Sequence, residues 1–397
     1  MAALVLLLVA AAFVKPAAAP NMLVVLDDPA AAGRASHSQF FALLEAQGHT
    51  LSFASAEDAA LADAPGGAWK YDALVFAAPK GATASLATAA VAFVDAGHSV
   101  LLVGGSGGGG AGAATRQLAL ELGIEFDAAE RLVIDHAAFD RNDVSFGDDH
   151  TLIVADGLVT SPVVVGEVAK PLLYRGVGMR RRGENELVVG VLTSTTAYSW
   201  TTRDEVDSKL FASGEELLLV ASMQARNGAR AIAAGSWEMF SDAFFGAEVR
   251  KFYAKSAAPS GNRDFADAVT KWLYGNGGTL RVSNIAHDLQ RGDEADEQAA
   301  DTYTTKDVVS YGFTLEELDG SDEWVPFIRD DVQMEFTMLD PYYRLDVPHV
   351  GTGRYNVTFM VPDVPGVFSF NLDFHRGVNT QAIPHRNLIS GDAPDKM

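Results

Sequence analysis

The stretch Met22-Leu23-Val24-Val25-Leu26-Asp27-Asp28-Pro29 reads as a buried strand running straight into an acidic turn. A continuous apolar run places side chains on both faces of a sheet, so both faces need a cover, as in parallel strands flanked by helices. The following segments keep that alternation. Residues 39–47 place Phe40, Phe41, Leu43 and Leu44 on one helical face, and Gly48 is positioned to end the helix. Strand patterns recur at 51–54, 73–77 and 99–103, with an alanine-rich helix over 84–96 before the last of them. This βαβ order predicts a doubly wound α/β sheet.

Working outward, further strands are expected at 151–155, 187–192, 217–222 and 230–235, and a helix at 265–274 carrying Phe265, Val269, Trp272 and Leu273. The turn-forming run Gly275-Asn276-Gly277-Gly278 closes this first domain, giving boundaries of 20–277 and 278–377. Beyond it the period changes to two. Val309, Tyr311, Phe313 and Leu315 alternate with polar residues, as do Val332, Met334, Phe336 and Met338, and then Phe368, Phe370, Leu372 and Phe374. Such alternation marks half-buried antiparallel strands and a β-sandwich-like second domain. The acidic stretch 288–301 is expected to be an exposed loop.

A chain of 397 residues, 48% of them hydrophobic, has enough apolar surface for two cored domains. The formal net charge is −22, so at long range the protein repels a nucleic-acid backbone or an anionic lipid surface, and nucleic-acid binding is discarded. There is no cysteine, which excludes disulfides, thiolate nucleophiles and Cys-ligated zinc. Residues 1–19 carry an apolar run followed by Ala17-Ala18-Ala19, the pattern of a secretory signal peptide. Past that region no run of about twenty apolar residues occurs.

Several patterns invite a chemical reading. In the tract 104–112, Gly105, Gly107 and Gly110 fit dinucleotide-binding spacing, while Gly104, Ser106 and Gly108 fit a nucleophile elbow. The dinucleotide motif belongs after the first strand, where this chain has Asp27-Asp28-Pro29, a turn whose charge repels a pyrophosphate. The elbow reading makes Ser106 a nucleophile, with Asp135 or Asp148 and His136 or His150 completing a triad. A glycine-rich tract supplies flexibility where an elbow needs rigidity, so it is read as a flexible surface loop. Asp135, His136, Asp140, Asp143, Asp148, Asp149 and His150 concentrate metal-ligand types, yet neither HExxH nor an EF-hand spacing is met, and a solvated acidic loop is expected. No catalytic residue, cofactor site or metal site is assigned. Asn356-Val357-Thr358 is a sequon, making Asn356 the candidate glycosylation site.

The chain resembles the family of 48-kilodalton accessory subunits of oligosaccharyltransferase. Leu26-Asp27-Asp28-Pro29, Ser36-His37-Ser38 and Phe40-Phe41 look like the opening of the mature family sequence. Similar segments continue in order: Gly123 to Asp127, Val133 to His136, His150 to Asp156, Gly176 to Met179, Gln224 to Asn227, Phe240 to Asp242 with Phe244-Phe245. In the second domain they include Trp324 to Phe327, Asp330 to Gln333, Leu339 to Tyr342, and Pro362 to Val364 with Gly366 to Phe368.

The resemblance implies a Rossmann-like lumenal domain related to class I glutamine amidotransferases, then a β-rich domain and one membrane helix near the C-terminus. It implies residence at the lumenal face of the endoplasmic reticulum membrane, in a complex that moves an oligosaccharide from dolichyl diphosphate to Asn in Asn-x-Ser/Thr sequons. The expected partners are a multispanning catalytic subunit, which carries the chemistry, ribophorin-type and small membrane subunits, and the dolichyl-linked oligosaccharide. The alternative is a soluble lumenal α/β-hydrolase-like enzyme using Ser106. Arg180-Arg181-Arg182-Gly183, Gly228 and Pro365 depart from the family pattern, and residues 378–397 are expected to be a divergent tail lacking the membrane helix.

Overall fold

The computed structural model describes residues 20–63, 67–77, 80–105, 110–128, 131–141, 150–155, 157–158, 164–166, 168, 171–185, 187–200, 210–275, 280–291, 294–295, 302–318, 323–338, 341–374, 381–383 and 388–392. The expected signal peptide and the tip of the glycine tract, with Ser106, lie outside these residues.

The opening run forms β1 (Asn21–Leu26). It is followed by α1 (Ser38–Ala46), β2 (Thr50–Ser55), β3 (Ala73–Ala77), α2 (Ala84–Asp95), β4 (Ser99–Val103), α3 (Ala113–Glu121) and β5 (Ile124–Phe126). Then come β6 (Met179–Arg181), β7 (Val188–Thr193), β8 (Leu218–Gln224), β9 (Arg230–Ala234) and α4 (Asn262–Tyr274). A ten-stranded sheet has the order β2-β1-β3-β4-β9-β8-β6-β5, with β7 also on β8 and Gly157–Leu158 on β7. From β2 to β9 neighbouring strands are parallel; β8, β7, β6 and β5 pair antiparallel.

The apolar run of β1 has the two-sided burial that its composition demands. Met22, Val24 and Leu26 join a core with Phe40, Phe41 and Leu44 of α1 and Phe265, Val269 and Trp272 of α4. Leu23 and Val25 point the other way, into a core with Leu86, Ala90 and Phe93 of α2 and Leu118 and Ala119 of α3. Strand pleat alone sorts the residues between the two layers. Helix ends follow local chemistry: the Thr83 hydroxyl accepts from the Leu86 amide at 3.2 Å to cap α2. At the C-terminal end of α4, Arg230 Nη1 donates to the carbonyls of Trp272 (2.5 Å) and Gly275 (3.3 Å). Burial lowers the pKa of that guanidinium to about 10.

The C-terminal region is sheet-rich. One six-stranded sheet contains β10 (Leu280–Arg291), β11 (Val308–Leu318) and β14 (Arg354–Met360); the other contains β12 (Gln333–Thr337), β13 (Pro341–Asp346), β15 (Val367–Phe374) and β16 (Leu388–Asp392). Their inner faces share one apolar cluster, in which Tyr311 of β11 stacks on Phe370 of β15 with centroids 4.2 Å apart. Burial pushes the Tyr311 phenol up to about 12. The alternation in β11 holds: Val309, Tyr311, Phe313 and Leu315 are buried.

Two expectations are corrected. The stretch expected to be a loop from residue 288 begins as strand: Asp288 and Leu289 of β10 pair with Ser310 and Val309. Polar composition there reflects one solvent-facing side of a paired strand, which leaves backbone pairing intact. The glycine tract is not wholly a surface loop, since Gly104 and Gly105 are buried; a Cβ on Gly104 would stand 2.2 Å from the Phe126 ring. Beyond residue 377, β16 and Gln381–Ile383 pair with β15.

Candidate functional site

Strand order reverses at β1, which lies between β2 and β3, and open α/β sheets present their binding crevice beyond the carboxyl ends of strands at such a point. Here that crevice is a cleft of about 750 Å³. Asp27 and Asp28 enter it from the end of β1, Ala77 from the end of β3, and Ser36 and His37 from the segment leading into α1. Asp140, Arg175, Trp237, Glu238, Ser241 and Glu248 complete much of the wall.

The acidic turn is spent on backbone amides. Asp27 Oδ1 accepts from the amides of Lys80 (3.1 Å) and Gly81 (2.8 Å), and Asp28 Oδ1 from that of Ala30 (3.0 Å). The first turn of α1 is filled likewise: Asp242 accepts from the amides of Ser38 (3.2 Å) and Gln39 (2.8 Å) and from the Ser38 hydroxyl (2.6 Å). Exposed amides at helix starts and strand ends are what hold phosphates in nucleotide-binding sheets. In this chain its own carboxylates occupy them. Gly33 lets the backbone return over the acidic turn, because a Cβ there would lie 2.3 Å from the Asp28 carbonyl oxygen.

His37 is buried and stacked on Trp237, with centroids 4.1 Å apart and planes at 12°. Its Nε2 lies 3.1 Å from the Trp237 carbonyl oxygen, an acceptor, so Nε2 carries the proton and Nδ1 is left to accept from the Ser36 hydroxyl at 2.9 Å. Burial holds the imidazole below its ordinary pKa, against the opposing pull of the Trp237 carbonyl and Asp242. A serine on a neutral imidazole is the start of a nucleophilic dyad. Acyl transfer also needs donors aimed at a developing oxyanion, and the Lys80 and Gly81 amides are committed to Asp27. Through the Trp237 carbonyl, the pair tethers the chain that enters α1.

The cleft's field is acidic. Among the described lining residues, Asp27, Asp28, Asp140, Glu238 and Glu248 stand with one guanidinium, Arg175, whose Nη1 is 3.5 Å from Glu238. Such a cleft favours neutral hydroxyl-rich or cationic groups and disfavours phosphate.

Among the described residues, the sequence-derived candidates are used for structure. Asp135 is fully buried: its Oδ1 accepts from the amides of Ala137 and Ala138, both at 2.8 Å, and its Oδ2 from Ser194 (2.9 Å) and Thr196 (2.7 Å). Four donors leave it no capacity to orient a catalytic histidine. His136 and His150 meet through their Nδ1 atoms, 2.5 Å apart, and the His150 ring stacks on Phe139. Asp140 Oδ2 accepts from the Arg250 amide at 2.8 Å. Ser106, Asp143, Asp148 and Asp149 lie outside the described residues. β4 ends at Val103 and α3 begins at Ala113. Among the described residues, no group of three or more His, Asp or Glu could hold a metal ion. Asn356 sits on β14, half-buried, its Oδ1 accepting from the Ser310 hydroxyl at 2.8 Å.

Sequence reasoning missed Arg175, Trp237 and Glu238 as cleft walls. Their signal was position: they follow strands whose ends converge at the crevice, far from one another in sequence. Ser36 and His37 were quoted only for resemblance, yet they and the acidic turn share one wall.

Comparison with known proteins gives a consistent family. The OST48 N-terminal domain matches residues 14–276 and the OST48 middle domain matches 289–388. A zebrafish (Danio rerio) protein named dolichyl-diphosphooligosaccharide–protein glycosyltransferase 48 kDa subunit is 40% identical over 364 residues, covering 89% of this chain and 79% of its own length. Proteins of the same name from Drosophila melanogaster and Arabidopsis thaliana are 37% and 36% identical, each covering 90% of this chain and 79% and 80% of their own lengths.

Proposed function

The chain belongs to the family of 48-kilodalton subunits of dolichyl-diphosphooligosaccharide–protein glycosyltransferase, and on that premise we propose that it works by assembly, holding the complex together on its lumenal side. It is an accessory subunit of oligosaccharyltransferase, the complex that transfers a lipid-linked oligosaccharide to Asn in Asn-x-Ser/Thr sequons. In this reading the multispanning subunit performs the transfer, and the ribophorin-type and small membrane subunits are the contacts. The protein faces the endoplasmic-reticulum lumen after loss of residues 1–19. No helix among the described residues is long and apolar enough to cross a membrane.

The observation that carries the proposal is the filled cleft. A Rossmann-like, amidotransferase-related domain over 20–277 would place its chemistry at the β1 switch point, and there Asp27, Asp28 and Asp242 occupy the amides that would receive an anion. Without any cysteine, the nucleophile of amidotransferases is also missing. The β-sandwich-like region over 278–377 supplies surface. Fold ancestry therefore does not carry activity with it. The acidic cleft suits the neutral sugar end of the donor better than its diphosphate, and a role in donor access would work through it.

The test is affinity purification through a tag on this chain. Oligosaccharide transfer to an Asn-x-Thr acceptor peptide is expected to co-purify, and the chain alone is expected to show none. Recovery of the tagged chain without that activity would refute the proposal. Asn356 is proposed as a glycosylation site, modified before β14 pairs with β11 because its amide is half-buried in the finished sheet; unchanged gel mobility after endoglycosidase would rule it out.

A further inference from the structure

One segment of this acidic chain has the opposite character. Residues 250–256 read Arg-Lys-Phe-Tyr-Ala-Lys-Ser. The backbone is clipped to residues 139–141: the Arg141 amide donates to the Arg250 carbonyl at 3.0 Å and the Phe252 amide to the Phe139 carbonyl at 3.1 Å. That pairing builds a column of rings. His150 stacks on Phe139 (3.8 Å between centroids), Phe139 on Phe252 (4.6 Å), and Phe252 meets Tyr253 edge-on (4.6 Å). The Arg141 guanidinium lies over Phe252 at 5.0 Å.

The column ends in water. Tyr253 is 77% exposed, more than any other exposed large apolar or aromatic side chain among the described residues. Arg250 and Lys255 flank it in sequence and Arg141 lies over the neighbouring Phe252; all three are exposed and make no ion pair among the described residues. Immediately beside the loop runs an apolar groove of about 360 Å³, walled by Val154, Leu158, Leu172 and Val249, with Lys251 and Ala254 at its rim. An exposed aromatic ring at the end of a stack, with exposed cations in the same segment and an apolar wall beside it, has the composition of a bilayer-interface contact: the ring sits at headgroup level and the cations meet lipid phosphates.

We propose that residues 250–256, with Arg141, seat this protein on the surface of an anionic phospholipid bilayer. The net charge of −22 opposes approach in general, so only the orientation that presents this patch is attractive, and the patch sets how the body stands on the membrane. This inference is independent of the assembly role, and its failure would leave co-purification untouched.

The test is flotation of the purified full chain with vesicles of phosphatidylcholine alone or mixed with phosphatidylserine. Binding is expected to the mixed vesicles only and to weaken as salt is raised. Each basic residue near such a surface is worth about fivefold in binding, so the double variant Arg250→Glu/Lys255→Glu should lose at least about 25-fold. Tyr253→Ser should lose a smaller factor that salt does not change. Arg181→Glu, an exposed cation elsewhere, is the control and should bind as the parent does; circular dichroism and melting temperature verify folding of each variant. No binding of the parent to mixed vesicles, equal loss with Arg181→Glu, or full displacement by inorganic phosphate would overturn the proposal, the last by showing a free-phosphate site.

Discussion

The cleft at the ends of β1 and β3 and the loop at residues 250–256 lie in the same α/β unit and treat charge in opposite ways. In the cleft, carboxylates occupy the amides that an anionic ligand would use. At the loop, Arg250 and Lys255 stand exposed without a carboxylate partner among the described residues. Location within a familiar fold therefore does not say where an anion is received; the state of the local donors does. At the position that the fold reserves for chemistry the anion-receiving amides are occupied, and the proposed anion-receptive surface lies on a peripheral loop.

The two regions share one support, and breaking it has the largest expected effect. Asp135 fixes the segment that carries Asp140 into the cleft and Phe139 and Arg141 under the loop. Asp135→Ala strands four buried or half-buried donors, and the cost is expected to be about 3 kcal/mol or more, read as a lower urea midpoint with an unchanged slope. A loss within experimental error would mean that water replaces the carboxylate and that the two regions are not held in common.

Asp27→Ala sharpens the contrast by emptying the cleft's donors. Loss of two amide contacts is expected to cost about 1–2 kcal/mol. The freed Lys80 and Gly81 amides should then donate to sulfate, so sulfate raises the melting temperature of the variant more than that of the parent. Equal response in both would show that the carboxylate does not occupy an anion site.

The smallest effect is on pH. Burial holds His37 below its ordinary 6.5, and His49 likewise, so in that window the unfolded chain binds a proton that the folded chain refuses. Stability is full above pH 6.5 and falls as the pH drops through the window. His37→Asn should flatten part of that decline in denaturation midpoints measured from pH 7.5 to about 5; an unchanged profile would place the titration elsewhere.

How far these regions were legible in sequence differs for physical reasons. The β1 run declared itself because both faces are buried, and the acidic turn declared its hostility to pyrophosphate. Its partners did not, since Lys80 and Gly81 reach Asp27 only through strand pairing. His136 and His150 looked like ligands by type, whereas the fold uses them as rings in contact, a distinction that spacing does not encode. The strand at Asp288 was hidden because its backbone pairs regardless of polar side chains. The 250–256 loop was readable in principle: cations interleaved with aromatics are conspicuous in a chain of net charge −22.

The central claim is that this subunit contributes structure and no nucleophile. It is tested by the occupancy of a reporter sequon in cells whose sole copy carries Ser36→Ala and Ser106→Ala, which removes both hydroxyls with a claim to chemistry. The expected result is parental occupancy with the complex recovered in equal yield. A fall in occupancy while the complex stays intact would contradict it.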